Sequence, residues 1–162
     1  MNAERGAVLI VTLVFLLLVT LLATSSMQNA TLQEKVAGSL QSRSVSFQAA
    51  ETVLRAGEAS LSAPGFTLPE CSGPATCLPP PEALTLSGAG SGGSSGVSWL
   101  ASSGGVYGIQ YLGQTDDPAR PEKPVEISHL YRVTAVVIQG SSRTVLESIH
   151  TREQRIMWRQ RQ

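Results

Sequence analysis

Two cysteines are the residues of this chain whose spacing most directly suggests chemistry. Cys71 and Cys77 enclose the segment S-G-P-A-T, in which Gly73 and Pro74 suit a tight turn. The spacing predicts a local disulfide, the form that cysteines take in an oxidising compartment, with two free thiols as the alternative. It is not the C-x-x-C spacing of redox-active pairs, and no histidines accompany the cysteines in a metal-binding pattern.

The remaining residue types that often do chemistry form no catalytic constellation. His129 and His150 are the only histidines, and each lies in a predicted strand without a cysteine or carboxylate cluster nearby. Asp116 and Asp117 are adjacent, but a calcium site needs six or more oxygen ligands, so we interpret them as a solvated turn. The segment 87–96 is rich in Gly and Ser but lacks the phosphate-binding G-x-x-x-x-G-K-[ST] pattern. We therefore predict no catalytic residue, no metal site and no cofactor, and no enzyme.

The overall composition also limits the classes of partner. The chain has 162 residues, with 12 basic and 12 acidic side chains and only 5% aromatic residues. This balance argues against broad binding of nucleic acids or membrane surfaces by net charge. The length leaves room for one modest soluble domain besides a membrane segment.

An uncharged apolar run follows directly after a short polar leader. The leader, residues 1–6, ends in Arg5-Gly6, and the apolar run covers residues 7–24 with threonines as its only polar members. As a helix this run would span about 27 Å, which is enough for the hydrocarbon core of a bilayer. The run must therefore lie in lipid or in a protein interior.

Three kinds of segment fit this run. A secretory signal peptide would be cut near residues 23–25, but the run is longer than usual and the leader places Glu4 beside its only basic residue, Arg5. A single-pass anchor with its N-terminus inside is compatible with Arg5. The third kind is cut after Gly6 on the cytoplasmic side and keeps its apolar helix. The short leader and the unbroken helical pattern beyond residue 24 favour this third interpretation.

The helical pattern continues well beyond the apolar run. No proline interrupts the chain before Pro64, although Gly38 and Gly57 each weaken a helix by up to about 1 kcal/mol. Apolar residues recur at helical spacing and predict a stripe that packs against the soluble head: Leu32, Val36, Leu40, Phe47 and Leu54. The sequence therefore predicts one continuous helix over residues 7–61, with a transmembrane half at 7–24 and an amphipathic half at 25–61.

The soluble head is predicted to be a small antiparallel sheet. Residues 106–112, 127–138 and 143–151 have strand patterns, and Gln139 to Ser142 join the last two as a hairpin. A sheet of three or four strands packed on the second half of the helix gives an α+β fold. Within the head, at 62–151, the segment 87–96 is predicted to be an exposed flexible loop and 127–151 the C-terminal hairpin.

The chain ends in a locally basic tail, residues 152–162. Arginines surround Trp158, a combination that can bind single-stranded nucleic acid: Arg152, Arg155, Arg159 and Arg161. We interpret the tail as a frayed, solvated terminus. Contact with a neighbouring subunit is the main alternative, and nucleic-acid binding is the least favoured.

Several stretches resemble the type IV pilin family, and within it the PilX-type minor pilins. The first two are R-G-A-V-L-I-V-T-L-V-F-L-L-L-V-T-L-L-A at 5–23 and S-M-Q-N-A-T-L-Q-E-K-V-A-G at 26–38. The third is S-F-Q-A-A-E-T-V-L-R-A-G-E at 46–58, whose F-Q-A-A-E block separates this group from generic membrane anchors. The hairpin sequence at 131–150 is similar to the strands that close PilX-type heads. The resemblance implies a type IV pilin-like α+β fold.

The resemblance also implies processing and a position in a fibre. A prepilin peptidase would cut after Gly6 and methylate the new N-terminal Ala7. Most pilins carry a glutamate at the fifth position of the processed chain, where this sequence has Val11. That glutamate neutralises the N-terminal amine of the subunit above, because a buried unpaired charge costs several kcal/mol. Val11 therefore favours a place at the tip over a repeated place in the shaft, unless the glutamate is simply dispensable here.

These features together predict a minor pilin of a type IV pilus. It would start as a single-pass inner-membrane protein with a periplasmic head and finish at the pilus tip, where it would prime assembly and support twitching motility and adhesion. Its expected partners are other minor pilins, the major pilin, the prepilin peptidase and an adhesin-like tip protein. The alternatives are a tip pseudopilin of a type II secretion system, which also lacks the glutamate, and a membrane-anchored periplasmic binding module.

Overall fold

The computed structural model describes residues 2–91, 93–116, 127–140 and 142–161. A long helix, α1, covers Asn2–Ser60, and the rest of the chain is mainly β. A short helix, α2, covers Pro74–Cys77, and a 3-10 turn covers Pro81–Leu84. Six strands follow in chain order: β1 Gly90–Ser91, β2 Ser98–Ser102, β3 Gly105–Asp116, β4 Ile127–Gln139, β5 Ser142–His150 and β6 Arg155–Arg161.

The chain divides into two compact units within α1. The first unit, Met1–Arg43, contains the first part of α1, and the second, Ser44–Gln162, contains the end of α1 with the sheet. The helix is unbroken because no proline occurs before Pro64. It ends at Ser60 in a turn, where the amide of Leu61 donates to the carbonyl of Glu58 at 3.1 Å.

The predicted apolar stripe of α1 packs on the sheet only in its second part. Leu54 is buried and Phe47 is partly buried against the core of the head. Leu32, Val36 and Leu40 are about 60% exposed, at 59%, 58% and 61%. The predicted packing is therefore confirmed for Phe47 and Leu54, whereas Leu32, Val36 and Leu40 lack the burial that the stripe predicts. Helical periodicity identifies an apolar face but not what covers it.

The sheet is a six-stranded antiparallel meander in which every strand pairs with its neighbours in the chain. The three predicted strands are present as β3, β4 and β5, and Gln139 pairs with Ser142 in the predicted tight hairpin. The expected count of three or four strands is too low, because β1, β2 and β6 extend the sheet at both ends. The predicted α+β architecture is confirmed.

Part of the predicted flexible Gly/Ser loop is ordered structure. Gly90 and Ser91 pair with Trp99 and Ser98 of β2. Ser95 is only 3% exposed and donates a hydrogen bond to the carboxylate of Glu82. The expectation of a loop is therefore wrong for Gly90 and Ser91, which form a strand although they are exposed. The expectation of exposure is wrong for Ser95, because a small side chain allows close packing.

The two faces of the sheet have separate hydrophobic cores. Alternate residues of β4, such as Val133 and Ala135, face α1 and pack with Ala50, Val53 and Leu54 of the helix. The intervening residues face the other side, here called the far face. There Val136 and Val145 pack with residues from the segment before β3: Ala83, Val97 and Trp99. A sheet covered on both sides explains why the central strand β4 has consecutive buried apolar residues, Ala135-Val136-Val137.

Gly57 allows the helix to approach the sheet closely. A Cβ atom built on Gly57 would lie 2.6 Å from Cγ1 of Val133 and 3.0 Å from Cδ2 of Tyr107. The first of these distances is shorter than any normal carbon–carbon contact, so a side chain here would push the helix off the sheet. The sequence identifies Gly57 only as a weak point of the helix, whereas the structure gives it a packing role.

We expect Gly57→Ala to destabilise the head by about 1–3 kcal/mol through overpacking. Gly38→Ala is the matched control, because no atom lies within 4 Å of a Cβ at that position. The control should be neutral or slightly stabilising, since Ala is the better helix former. Thermal unfolding of the detergent-solubilised full chain, followed by near-ultraviolet circular dichroism, measures both. Equal melting temperatures for the two variants would contradict the packing role.

Candidate functional site

The apolar first part of α1 is the feature most clearly suited to a function outside the head. From Val8 to Leu22 its large apolar side chains are exposed, and its most apolar window has a mean hydropathy of 2.9. Within the part of the chain that the structure describes, α1 is the one helix long and apolar enough to cross a membrane. A signal sequence has the same length and composition, so these properties alone do not separate the two.

The threonine hydroxyls of this segment need no hydrogen-bond partner outside the helix. The hydroxyls of Thr12, Thr20 and Thr24 each donate to a backbone carbonyl one turn earlier, at 2.8–3.0 Å. A hydroxyl satisfied within its own helix costs little in lipid or in an apolar protein interface. The surface of the segment is therefore effectively apolar all round.

The predicted processing residues lie in the first turns of this helix. Gly6 and Ala7 are both within α1, and Val11 follows one turn later with an exposed side chain. Val11 has apolar neighbours along the helix and places no charge in this segment. The structure thus locates the three residues, and cleavage after Gly6 stays a prediction.

The second part of α1 is held on the sheet by contacts with the last strands. Oγ of Ser46 lies 2.6 Å from Oγ1 of Thr144 in β5, and both side chains are buried. The ring of Phe47 lies 5.8 Å from that of Trp158 in β6. Ala50 is fully buried, which explains why a small residue is needed in the F-Q-A-A-E block.

A bidentate ion pair joins the end of α1 to β6. The guanidinium of Arg155 donates from Nε and Nη2 to the two carboxylate oxygens of Glu58, each at 2.7 Å. The Glu58 side chain is only 10% exposed, and that of Arg155 is 25% exposed. Hydrogen bonding to the Glu58 carboxylate is the main cause that raises the pKa of the Arg155 guanidinium. This planar fork geometry is the strongest form of a side-chain ion pair.

Glu51 extends this pair into a small network. Its carboxylate lies 2.9 Å from Nη2 of Arg55 and 3.7 Å from Nη1 of Arg155. The hydrogen bond from Arg55 is the main reason why the pKa of Glu51 is lowered. Glu51 is about one third exposed, so its contribution is weaker than that of Glu58.

The predicted frayed tail is in fact the edge strand of the sheet. Arg155 to Arg161 form β6, which pairs antiparallel with β5. Three of the arginines that suggested a solvated terminus have carboxylate partners, with Arg159 and Arg161 both bound to Glu147. The prediction of a solvated tail is wrong because the acidic partners are distant in the sequence, although the residues Ile156-Met157-Trp158 are strand formers that could have indicated it.

The cysteine loop covers the far face of the sheet. Cys71 and Cys77 form a disulfide, the pair predicted from the sequence. Arg132 of β4 donates to the carbonyl of Cys77 at 2.6 Å, and Gln110 of β3 donates to that of Leu78 at 3.1 Å. Farther along, Arg161 donates to the carbonyl of Pro80 at 2.8 Å. Side chains of the sheet thus satisfy the backbone of a proline-rich segment that cannot form a ladder of its own.

The histidines have structural contacts. Nδ1 of His129 lies 2.7 Å from the hydroxyl of Tyr111, and the buried His150 contacts the carbonyl of Thr151. No group of three potential metal-binding side chains occurs among the described residues. Asp117 of the predicted turn lies outside them.

Comparison with known proteins gives one match. Residues 5–55 match the family model described as PilX N-terminal, which is a type IV pilin family of structural pilus components. No curated protein and no solved structure matches the chain. The match covers the apolar segment and the F-Q-A-A-E block and ends just before Gly57 and Glu58.

We expect Glu58→Gln to lower the stability of the head by about 2 kcal/mol or more, because it leaves the partly buried Arg155 without its carboxylate. Glu51→Gln is the matched control on the same helix face, and its loss should stay below about 1 kcal/mol. Chemical denaturation of the full chain in detergent at neutral pH measures both. A loss for Glu58→Gln no larger than that for Glu51→Gln would show that the bidentate pair is not the main tie between α1 and β6.

Proposed function

Since the chain carries the PilX N-terminal domain of a type IV pilin family, we propose that it is a minor pilin that primes pilus assembly and sits at or near the pilus tip. The observation that carries this proposal is the coincidence of the matched residues with a helix that is exposed and apolar in its first part and packed on a β head in its second. The apolar first part of α1 can anchor such a subunit in the membrane, and the same surface can later pack against other subunits in a filament.

We propose that the protein is processed and assembled in two stages. In the first, it is a single-pass inner-membrane precursor whose head lies in the periplasm, where the Cys71–Cys77 disulfide would form. In the second, a prepilin peptidase removes residues 1–6 and methylates Ala7, and the helix packs with other minor pilins and with the major pilin. An adhesin-like protein at the tip is a further proposed partner, and the functions served are twitching motility and adhesion.

Cleavage after Gly6 is the direct test of the pilin role. We expect the membrane-extracted protein to have an N-terminal methylated Ala7 in cells with the prepilin peptidase and to retain residues 1–6 in cells without it. Intact mass and N-terminal sequencing measure this. Gly6→Val should block cleavage in cells with the peptidase, and Gly38→Val is the control that should be processed normally.

The other outcomes of this experiment select the alternatives. A protein that keeps Met1 in the presence of the peptidase would be a membrane-anchored periplasmic module. A protein cut near Ser25 would be a secreted domain. If cleavage after Gly6 occurs, deletion of the chain distinguishes a pilus subunit from a pseudopilin, because the first loses pili and the second loses protein secretion.

Val11 supports the proposed tip position. In the family that the chain resembles, the glutamate at this position offsets the buried amine of the subunit above, and a subunit with nothing above it has no such amine to neutralise. Val11 is compatible with an apolar contact and not with charge neutralisation.

We expect Val11→Glu to move the subunit from the tip into the shaft, because the new carboxylate could pair with the amine of a subunit above. Immunogold labelling of sheared pili should show the wild type at fibre ends and Val11→Glu along the fibres. Val11→Gln is the control of equal size without charge and should label fibre ends only. Wild-type labelling along the whole shaft would rule out the tip position.

A further inference from the structure

A small cavity opens on the far face of the sheet, away from α1. Its volume is about 150 Å³. It lies among side chains of β4, β5 and β6, and its lining consists of Arg132, Glu147, Ser148, Ile149, Met157 and Arg159. None of these residues has a part in the proposed pilin role of the N-terminal helix.

The side chains around this cavity carry more positive than negative charge. Glu147 is 2% exposed, and its carboxylate accepts from Arg159 at 3.0 Å and from Arg161 at 3.1 Å. Arg132 has neutral acceptors only, since its Nη1 donates to the carbonyl of Cys77 at 2.6 Å and to Oε1 of Gln110 at 3.0 Å. Among the described residues, no carboxylate oxygen forms an ion pair with Arg132. Of the three guanidinium groups near the Glu147 carboxylate, those of Arg159 and Arg161 pair with it and that of Arg132 does not.

Arg132 is the group that an entering anion would stabilise. Burial is the main cause that lowers its pKa, and the positive charges of Arg159 and Arg161 act in the same direction against the attraction of Glu147. A desolvated guanidinium without a counter-ion carries an electrostatic cost that a carboxylate in the cavity would offset. Since the hydrogen bonds of Arg132 with the described residues use Nη1, its other nitrogens have donors to offer an anion.

We propose that this cavity binds the carboxylate of an acidic side chain presented by another polypeptide. The volume argues for a single side chain, because pockets for small-molecule ligands usually measure about 300–1,000 Å³. The rim argues for a protein surface, since Met157 is half exposed beside the cavity and offers an apolar contact next to the charged one. The inference stands on the head alone and does not depend on the proposed tip position.

A pair of model peptides tests the binding. The full chain, in detergent and with labelled arginine, is titrated with acetyl-Gly-Asp-Gly-amide and with acetyl-Gly-Asn-Gly-amide. We expect the aspartyl peptide to shift the Nε–H resonance of Arg132 saturably in the millimolar range and the asparaginyl peptide to leave it unchanged. An equal response to both peptides, or none to either, overturns the proposal.

A substitution at the rim gives an independent test that leaves Arg132 and its loop contact intact. Met157→Glu places a carboxylate beside the cavity, and we expect it to melt roughly 3 °C higher than Met157→Gln at neutral pH. The difference should disappear below the pKa of the new carboxyl, and Met157→Glu should no longer bind the aspartyl peptide. The control is the half-exposed Leu100 of β2, where Leu100→Glu and Leu100→Gln should melt together. A Met157→Glu protein no more stable than Met157→Gln contradicts the assignment.

Discussion

The ion pair between the end of α1 and β6 is the contact that holds the helix on the sheet of the head. Glu58 is nearly buried close to the end of the helix. Both of its carboxylate oxygens accept hydrogen bonds from Arg155 of β6, the edge strand of the sheet. A buried carboxylate without this partner would oppose docking of the helix, so the pair supports the apolar packing of Val53 and Leu54. Gly57, one residue before Glu58, sets the distance at which the pair can form.

The far face of the sheet is covered by a segment that has little regular secondary structure. The residues between the helix and β1 contain many prolines, which lack the amide donor that a strand ladder needs, and several carbonyls of this segment accept from side chains instead. Arg132, Arg143 and Arg161 reach these carbonyls from the sheet, and the disulfide fixes the loop that presents the first of them. The arginines therefore act as hydrogen-bond donors to the backbone and, where Glu147 is near, as ion-pair partners. This dual use leaves Arg132 without a carboxylate.

The sequence predicted the elements that local patterns specify, and it failed where distant residues decide. The uninterrupted helix and strands β3 to β5 follow from periodicity and turn residues. Strand β6 was missed because its arginines suggest solvent unless Glu58 and Glu147 are known to lie opposite. Leu32, Val36 and Leu40 have the same spacing as the packed Leu54, and only the position of the sheet separates them. The charge imbalance at Arg132 is likewise invisible in a chain whose total charge is balanced.

The pairing of Glu58 with Arg155 has a consequence for the order in which the parts of the head can fold. The two residues are 97 positions apart, whereas the meander itself joins only strands that are neighbours in the chain. The strands can pair one after another as they are synthesised, but the helix cannot form its ion pair with the sheet until β6 is present. A chain that stopped short of Arg155 would leave the Glu58 carboxylate without its partner and the edge of β5 without a paired strand. Docking of the helix thus depends on a strand that lies far from it in the sequence.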